Sequence, residues 1–333
     1  MEKRKLLMIF GCISFILVTG FLPFRVIYAQ QIEISWVSFI PKEDPSVDGV
    51  VRGFINRVTP KAKGGLVFKY RGGPETMAAF DQGKAVQKGI VDISIVPVGF
   101  YEPLAPGVGG AMLTQVSLEE ERKPGGGYDY LNELHKKGGL FYLGRGAPAD
   151  EYFRLNLRKK ILKREDFAGT KIGTATVARA CTAAWGATVV SLSMPEYYSA
   201  MERGLVDGIS SCPLSQWVAQ GCHEVTKYSV DHGYYQSTVA VIMNLEKWNK
   251  IPKHLQSLMI ESMIESEKDN RVWEIEYRNK AREKMVKAGT EFYQFPPDMA
   301  KWFIETAYNS AWEYQTKRFP DVTPKLKELL SKK

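Results

Sequence analysis

Histidine and cysteine are scarce in this sequence and poorly spaced for chemistry: of 333 residues, four are His and four are Cys. There is no C-x-x-C pair, and His135, His223, His232 and His254 are scattered, so no zinc-type ligand spacing exists. Cys181, Cys212 and Cys222 follow the N-terminal region in odd number, which allows one bridge at most. If Pro213 opens a helix to Gln220, Cys212 and Cys222 stand about 13 Å apart along it and cannot pair, so unbridged, mostly buried thiols are expected. G-x-S-x-G, H-E-x-x-H and P-loop motifs are also absent, which removes the common signatures of esterases, metalloproteases and nucleotide hydrolases. Ser210-Ser211-Cys212 has no motif-level link to a histidine base. A Cys212–His223 pair stays open, and a buried thiol beside a surface histidine is the simpler reading. The glycine-rich loops Pro103–Gly110 and Lys123–Gly127 lack the strand, G-x-G-x-x-G and helix context of a dinucleotide site.

What is present is an ordinary soluble composition, 44% apolar and 25% charged. Its length suits two cores better than one, since single cores stop growing near ~250 to 300 residues. Lys3-Arg4-Lys5 precede the uncharged run Leu6–Leu22, and Ala29 follows Arg25, the order of a secretory signal cleaved near Ala29. The alternative is a membrane anchor at the lower limit of spanning length. Removing residues 1–29 lowers the net charge from +8 to about +5. Lys and Arg alternate with Glu and Asp along the helices, as in Glu261–Lys287, which speaks for a solvated surface and against a nucleic-acid patch.

Ile32-x-Ile34-x-Trp36 alternates as a strand, and Val47, Val50, Val51, Phe54, Ile55 and Val58 keep the helical period after a cap at Ser46. A strand Leu66–Tyr70, a helix Glu75–Lys88 and a strand Ile90–Val98 complete a βαβαβ lobe, which implies a mostly parallel sheet. Gly139–Gly144 reads as a short strand and Glu151–Leu157 as an extended crossing into a second lobe. There, Lys171-Ile172 starts a strand, Ala175–Trp185 is a helix, Thr188–Ser191 a strand, Pro195–Arg203 a helix stopped by Gly204, and Leu205-Val206 opens the next strand. Ala85–Asp92 echoes Ala200–Asp207, although any helix-to-strand junction favours a basic last turn and a terminal glycine. A helix from Pro252 to Gly289, about 50 Å long, must span both lobes, and a further amphipathic helix runs from Met299 to Lys317.

Asp166-x-x-Gly169-x-Lys171-Ile172, Gly186-Ala187, Pro195-Glu196-x-Tyr198-x-Ala200 and Gly204-x-Val206-Asp207-Gly208, in this order, resemble the DctP-like solute-binding proteins of tripartite ATP-independent periplasmic (TRAP) transporters. The likeness extends more weakly over the chain, including Asn244–Trp248 and Pro252-x-x-Leu255-Gln256. It implies an α/β, two-lobed periplasmic solute-binding fold, each lobe a mixed, mostly parallel sheet flanked by helices, with a long bracing helix. The expected division is residues 1–29 as signal, 30–151 with about 240–279 as one lobe, and 152–239 with about 280–333 as the other. In the family an arginine follows Lys-Ile and grips the ligand's carboxylate; here Gly173 stands at that position. Arg179, six residues on, is the candidate replacement; otherwise Gly173 leaves room for a bulkier ligand held by backbone donors at the helix start.

A ligand cleft needs aromatic walls and a few placed polar groups. The segments the family uses supply Trp36, Phe39, Tyr101, Arg154, Ser211, Cys212 and Trp217. For Arg154 the plain alternative is a structural ion pair; for Trp36 it is core packing. The resulting expectation is an exported, non-enzymatic receptor that captures a small organic acid between its lobes and delivers it to the membrane permease subunits of a TRAP transporter. No cofactor, metal or nucleic acid is expected. An exported enzyme on a related scaffold, or a receptor for an ATP-driven importer or sensor kinase, are the alternatives.

Overall fold

The computed structural model describes residues 31–146, 152–175 and 178–332; the expected leader, with its expected cleavage near Ala29, and the first residue of the expected crossing, Glu151, lie outside the described residues. Strand-forming alternation at Ile32-x-Ile34-x-Trp36 becomes β1 (Ile32–Ser38), flanked by β2 (Leu66–Gly72) and β3 (Ile93–Pro97) in parallel. β4 (Leu140–Arg145) and β11 (Val239–Asn244) join this sheet antiparallel, in the order β2-β1-β3-β11-β4. The second sheet runs β12-β9-β5-β8-β6-β7, from β5 (Tyr152–Leu157), β6 (Lys171–Thr174), β7 (Thr188–Ser191), β8 (Gly208–Cys212), β9 (Tyr228–Val230) and β12 (Glu291–Tyr293). β10 (Tyr234–Gln236) pairs with β5.

Both sheets are therefore mixed, with a smaller parallel share than the crossovers alone suggest, because the strands that pass between the sheets enter antiparallel. β3 begins at Ile93 rather than Ile90, and β8 at Gly208 rather than Leu205. Ile90 and Leu205 are instead exposed turn residues, 66% and 54% accessible. The two turns share one construction. In each, a glycine at φ +69° or +70° (Gly89, Gly204) ends a helix. The next N–H then reaches back five residues, from Ile90 to Ala85 and from Leu205 to Ala200, each at 2.9 Å. An aspartate follows and holds the neighbouring parallel strand. Asp92 accepts from the Ser35 N–H at 2.7 Å, and Asp207 from the Lys171 N–H at 2.9 Å.

The first helix region, residues 45–61, is capped by Asp44 rather than Ser46 and contains one widened turn at Val51–Ile55. Gly49 and Gly53 bring it against Asn270 and Ser266 of the long helix Lys253–Lys287. That helix is apolar at both ends, where Leu255, Met259 and Met263, then Ala281 and Met285, are buried. Its centre is polar yet also buried, at Ser262, Ser266, Glu267, Asn270 and Glu274. This explains why no heptad pattern runs through it: the middle is a hydrogen-bonding spine, not a coiled-coil seam. Glu267 takes a two-point grip from Arg122 (2.6 and 2.7 Å) and the Arg145 N–H (2.8 Å). Burial raises the Glu267 carboxyl and Arg122 opposes that rise. Asn270 donates to the Gly146 carbonyl at 2.9 Å, and Glu274 accepts from Ser215 at 2.8 Å. One helix thus holds the end of β4 and the segment after β8.

The helix Pro297–Arg318 buries Phe303, Ala307 and Ala311 and stacks Phe303 on Trp185 at 4.2 Å. Its end turns back to the first sheet: Arg318 pairs with Glu102 at 2.7 Å, Gly110 lies under Leu326 and Trp312, and the Leu330 carbonyl takes the Gln115 N–H. The C-terminal helices therefore pack against elements of both sheets.

Candidate functional site

A cavity of about 720 Å³ opens where strand ends of both sheets meet. Its lining between Phe39 and Met112 carries no polar side chain: Phe39 and Ile40 follow β1, Gly99 and Phe100 follow β3, and Phe80 projects from the helix Ala79–Gln87. Phe100 meets Phe39 edge-on at 6.4 Å and stacks on Phe80 at 4.1 Å. The opposite wall comes from the second sheet and is mixed, with Phe153, Leu192, Met194 and Pro195 beside its polar groups. Thr174 ends β6, Ser191 ends β7, Ser211 lies on β8, and Tyr197, Gln216 and Gln220 come from the helices that follow. Arg179, in the first turn of the helix Ala178–Ala184, is the one charged residue among the described residues lining the cavity. It is exposed and forms no ion pair with a described residue.

Ser211 organises this second wall. Its Oγ accepts the Ala175 N–H at 2.9 Å, fixing the strand end that leads toward Arg179, and lies 2.7 Å from the Tyr197 hydroxyl. Burial raises the Tyr197 phenol and the Ser211 bond opposes the rise, so the group stays a neutral hydroxyl. Trp217 is fully buried behind the wall, donating to Thr226 at 2.9 Å and packing on Tyr197.

Of the residues expected at the site, the structure brings Phe39, Arg179 and Ser211 together around the cavity. Trp36 points the other way, 3% exposed and packed on Tyr70 at 4.3 Å. Tyr101 is buried and bonded to His135 at 2.9 Å. Burial lowers His135 to about 4, so its ring is neutral: Nδ1 donates to the Leu131 carbonyl and Nε2 accepts from Tyr101. Arg154 is outside the cavity wall because β5 alternates: Phe153 faces the cavity, and Arg154 pairs with Asp231 at 2.8 Å beside Arg282. The same alternation on β8 turns Cys212 away while Ser211 faces in. Cys181, Cys212 and Cys222 are all buried thiols, and His223 is buried as well, 5% exposed. Nor does Gly173 leave ligand space. A Cβ there would lie 2.7 Å from Leu192 Cδ1 and closer still to Ile209, so apolar side chains already fill that direction.

Phe80, Phe100, Phe153 and Gln216 also line the cavity and were not among the sequence candidates. Three of these stand one residue from a candidate that was named.

The family model described as bacterial extracellular solute-binding protein, family 7, matches residues 37–317. The C4-dicarboxylate-binding periplasmic protein DctP of Rhodobacter capsulatus is 26% identical over 273 residues, 73% of this chain and 79% of that protein. A solute-binding protein of Albidiferax ferrireducens is 23% identical over 292 residues, 80% and 81% of the two chains. Among solved structures, a TRAP periplasmic solute-binding protein from Desulfovibrio salexigens with bound orotic acid superposes with a TM-score of 0.78 at 20% identity, covering 90% of this chain and 97% of that one. One from Rhodoferax ferrireducens with bound malonate gives 0.76 at 21% identity, covering 89% and 96%. The family and the structural neighbours are solute-binding proteins. No helix among the described residues is long and apolar enough to cross a membrane.

Proposed function

Since the chain belongs to family 7 of the bacterial extracellular solute-binding proteins, we propose that it is the periplasmic receptor of a TRAP-type secondary transporter, capturing a small organic acid in the cavity between its two sheets. The observation that carries this reading is the cavity's charge pattern: among the described residues Arg179 is its one charged lining residue, placed opposite an aromatic wall. An exposed guanidinium that forms no ion pair with a described residue offers a carboxylate two parallel hydrogen bonds, and enclosure by the second wall strengthens them. Relatives described as binding C4-dicarboxylate, and neighbours with bound malonate or orotic acid, support an acid as the cargo.

In this reading the leader is cleaved near Ala29 and the sheets act as two lobes, the first built on β1–β4 and β11, the second on β5–β10 and β12. The chain crosses between them from β4 to β5 and from β10 to β11, and Ser237-Thr238 on the second crossing line the cavity. Rotation at those passages, with the long helix as brace, would close the walls on the acid and form the surface read by the permease. Native mass spectrometry of the purified protein tests this directly: a bound acid of a few hundred daltons or less is expected. An empty protein that also shows no compaction by X-ray scattering with any member of a broad acid library would remove the reading.

A further inference from the structure

The two walls differ enough to specify the cargo further. We infer, resting on the receptor reading above, that the ligand is an aromatic monocarboxylate: one anionic head on Arg179 and an apolar ring held among Phe39, Phe80, Phe100 and Phe153.

The number of carboxylates follows from the cations. Arg179 is the one charged residue among the described residues lining the cavity, and neither 147–151 nor 176–177 contains a Lys or Arg. Arg154, next in the chain to lining residue Phe153, is engaged with Asp231. A second carboxylate of a dicarboxylic acid would therefore enter a largely apolar space without a counter-charge, which is strongly unfavourable.

The body of the ligand follows from where the polar groups lie, since Ser191, Gln220 and Ser237 are off the first wall and several others are already engaged. Ser211 is bonded to Ala175 and Tyr197, Ser193 to Glu196, and Gln216 to Ser46. A sugar acid carries several hydroxyls that each need a partner on enclosure, and the first wall has no polar side chain between Phe39 and Met112 to supply one. An aromatic ring asks for the reverse. It can stack or meet edges with Phe39 and Phe100, and it can cover Phe80, which stacks on Phe100 yet is 61% exposed. The cavity, about 720 Å³, is in the upper part of the ~300 to 1,000 Å³ range of small-molecule sites and larger than a four-carbon acid needs.

Isothermal titration of the dialysed, exported protein with 3-phenylpropionate, its neutral analogue 3-phenylpropanol, succinate and D-glucuronate tests the assignment. 3-Phenylpropionate is expected to bind at least ~10-fold tighter than the other three, because losing either the charge contact or the ring burial costs about that much. Phe80→Ala should weaken 3-phenylpropionate by ~10-fold, with the thermal midpoint of the unliganded protein unchanged. Glucuronate or succinate as the tightest ligand would overturn the aromatic assignment while leaving the receptor reading in place. Tightest binding of the alcohol would overturn the anionic head. Binding of none of the four by the folded protein would overturn the aromatic assignment, and the receptor reading would fall only if the protein were also empty and compacted with no member of the broad acid library.

Discussion

The two helix-to-strand junctions at Ala85–Asp92 and Ala200–Asp207 are built alike, yet the walls they support are chemically opposite. Each has the same left-handed glycine, the same five-residue return bond and the same aspartate on the parallel neighbour strand. Above the first stand Phe39 and Phe100; above the second stand Thr174, Ser211 and Arg179. The backbone devices are shared because a parallel α/β unit needs them whatever it binds. The wall residues sit on strand ends and following turns, where a side chain can change without disturbing those devices. Likeness between the halves therefore reports on folding, and difference between them reports on the ligand.

The largest effect that would break this comparison is at Gly173. Replacing it with Arg, to restore the residue usual in the family, forces a charged side chain into the space of Ile209 and Leu192. It should cost on the order of 3 kcal/mol of stability, read from the urea midpoint, rather than create a second anion site. A stable variant with tighter acid binding would show that the second wall retains the family's geometry. The paired aspartates sharpen the comparison at smaller cost. Asp92→Ala removes bonds to both the Ser35 N–H and its hydroxyl and should lose about 2 kcal/mol; Asp207→Ala removes one bond to Lys171 and should lose about 1 kcal/mol. Equal losses, or none at Asp92, would mean that the junctions are alike in shape only. Arg154→Ala is the smallest. Asp231 keeps Arg282 at 3.0 Å, so stability should fall by about 1 kcal/mol or less and ligand affinity should not change. A marked loss of affinity would bring Arg154 back into the site.

Most of the architecture was legible because its causes are local. Alternation marked β1, the glycine stops marked the junctions, and helix length marked the spine. Strand starts at Ile90 and Leu205 were placed too early because an apolar residue after a glycine stop looks like strand, while the backbone there is still turning. The segments that line the cavity were legible too, but not the phase within them. Tyr101 was chosen where Phe100 faces the cavity, Arg154 where Phe153 does, and Trp217 where Gln216 does. In each case the larger or charged neighbour is the one held inside the protein, by His135, Asp231 or Thr226. A rotation by one residue swaps the faces of a strand or a turn, and only tertiary packing decides it. Phe80 had no strand-end signal, because it comes from a helix whose other face makes the core contacts.

The account turns on Arg179 as the group that meets the acid. The direct measurement is calorimetric affinity of wild-type and Arg179→Ala protein for the acid recovered by native mass spectrometry, with the thermal midpoints of both unliganded proteins recorded alongside. An exposed arginine that pairs with no described residue should leave the midpoint unchanged, and its loss should weaken binding by about 10- to 100-fold, equivalent to roughly 1.5 to 3 kcal/mol for a charge-assisted contact. Equal affinity in the two folded proteins would contradict the account.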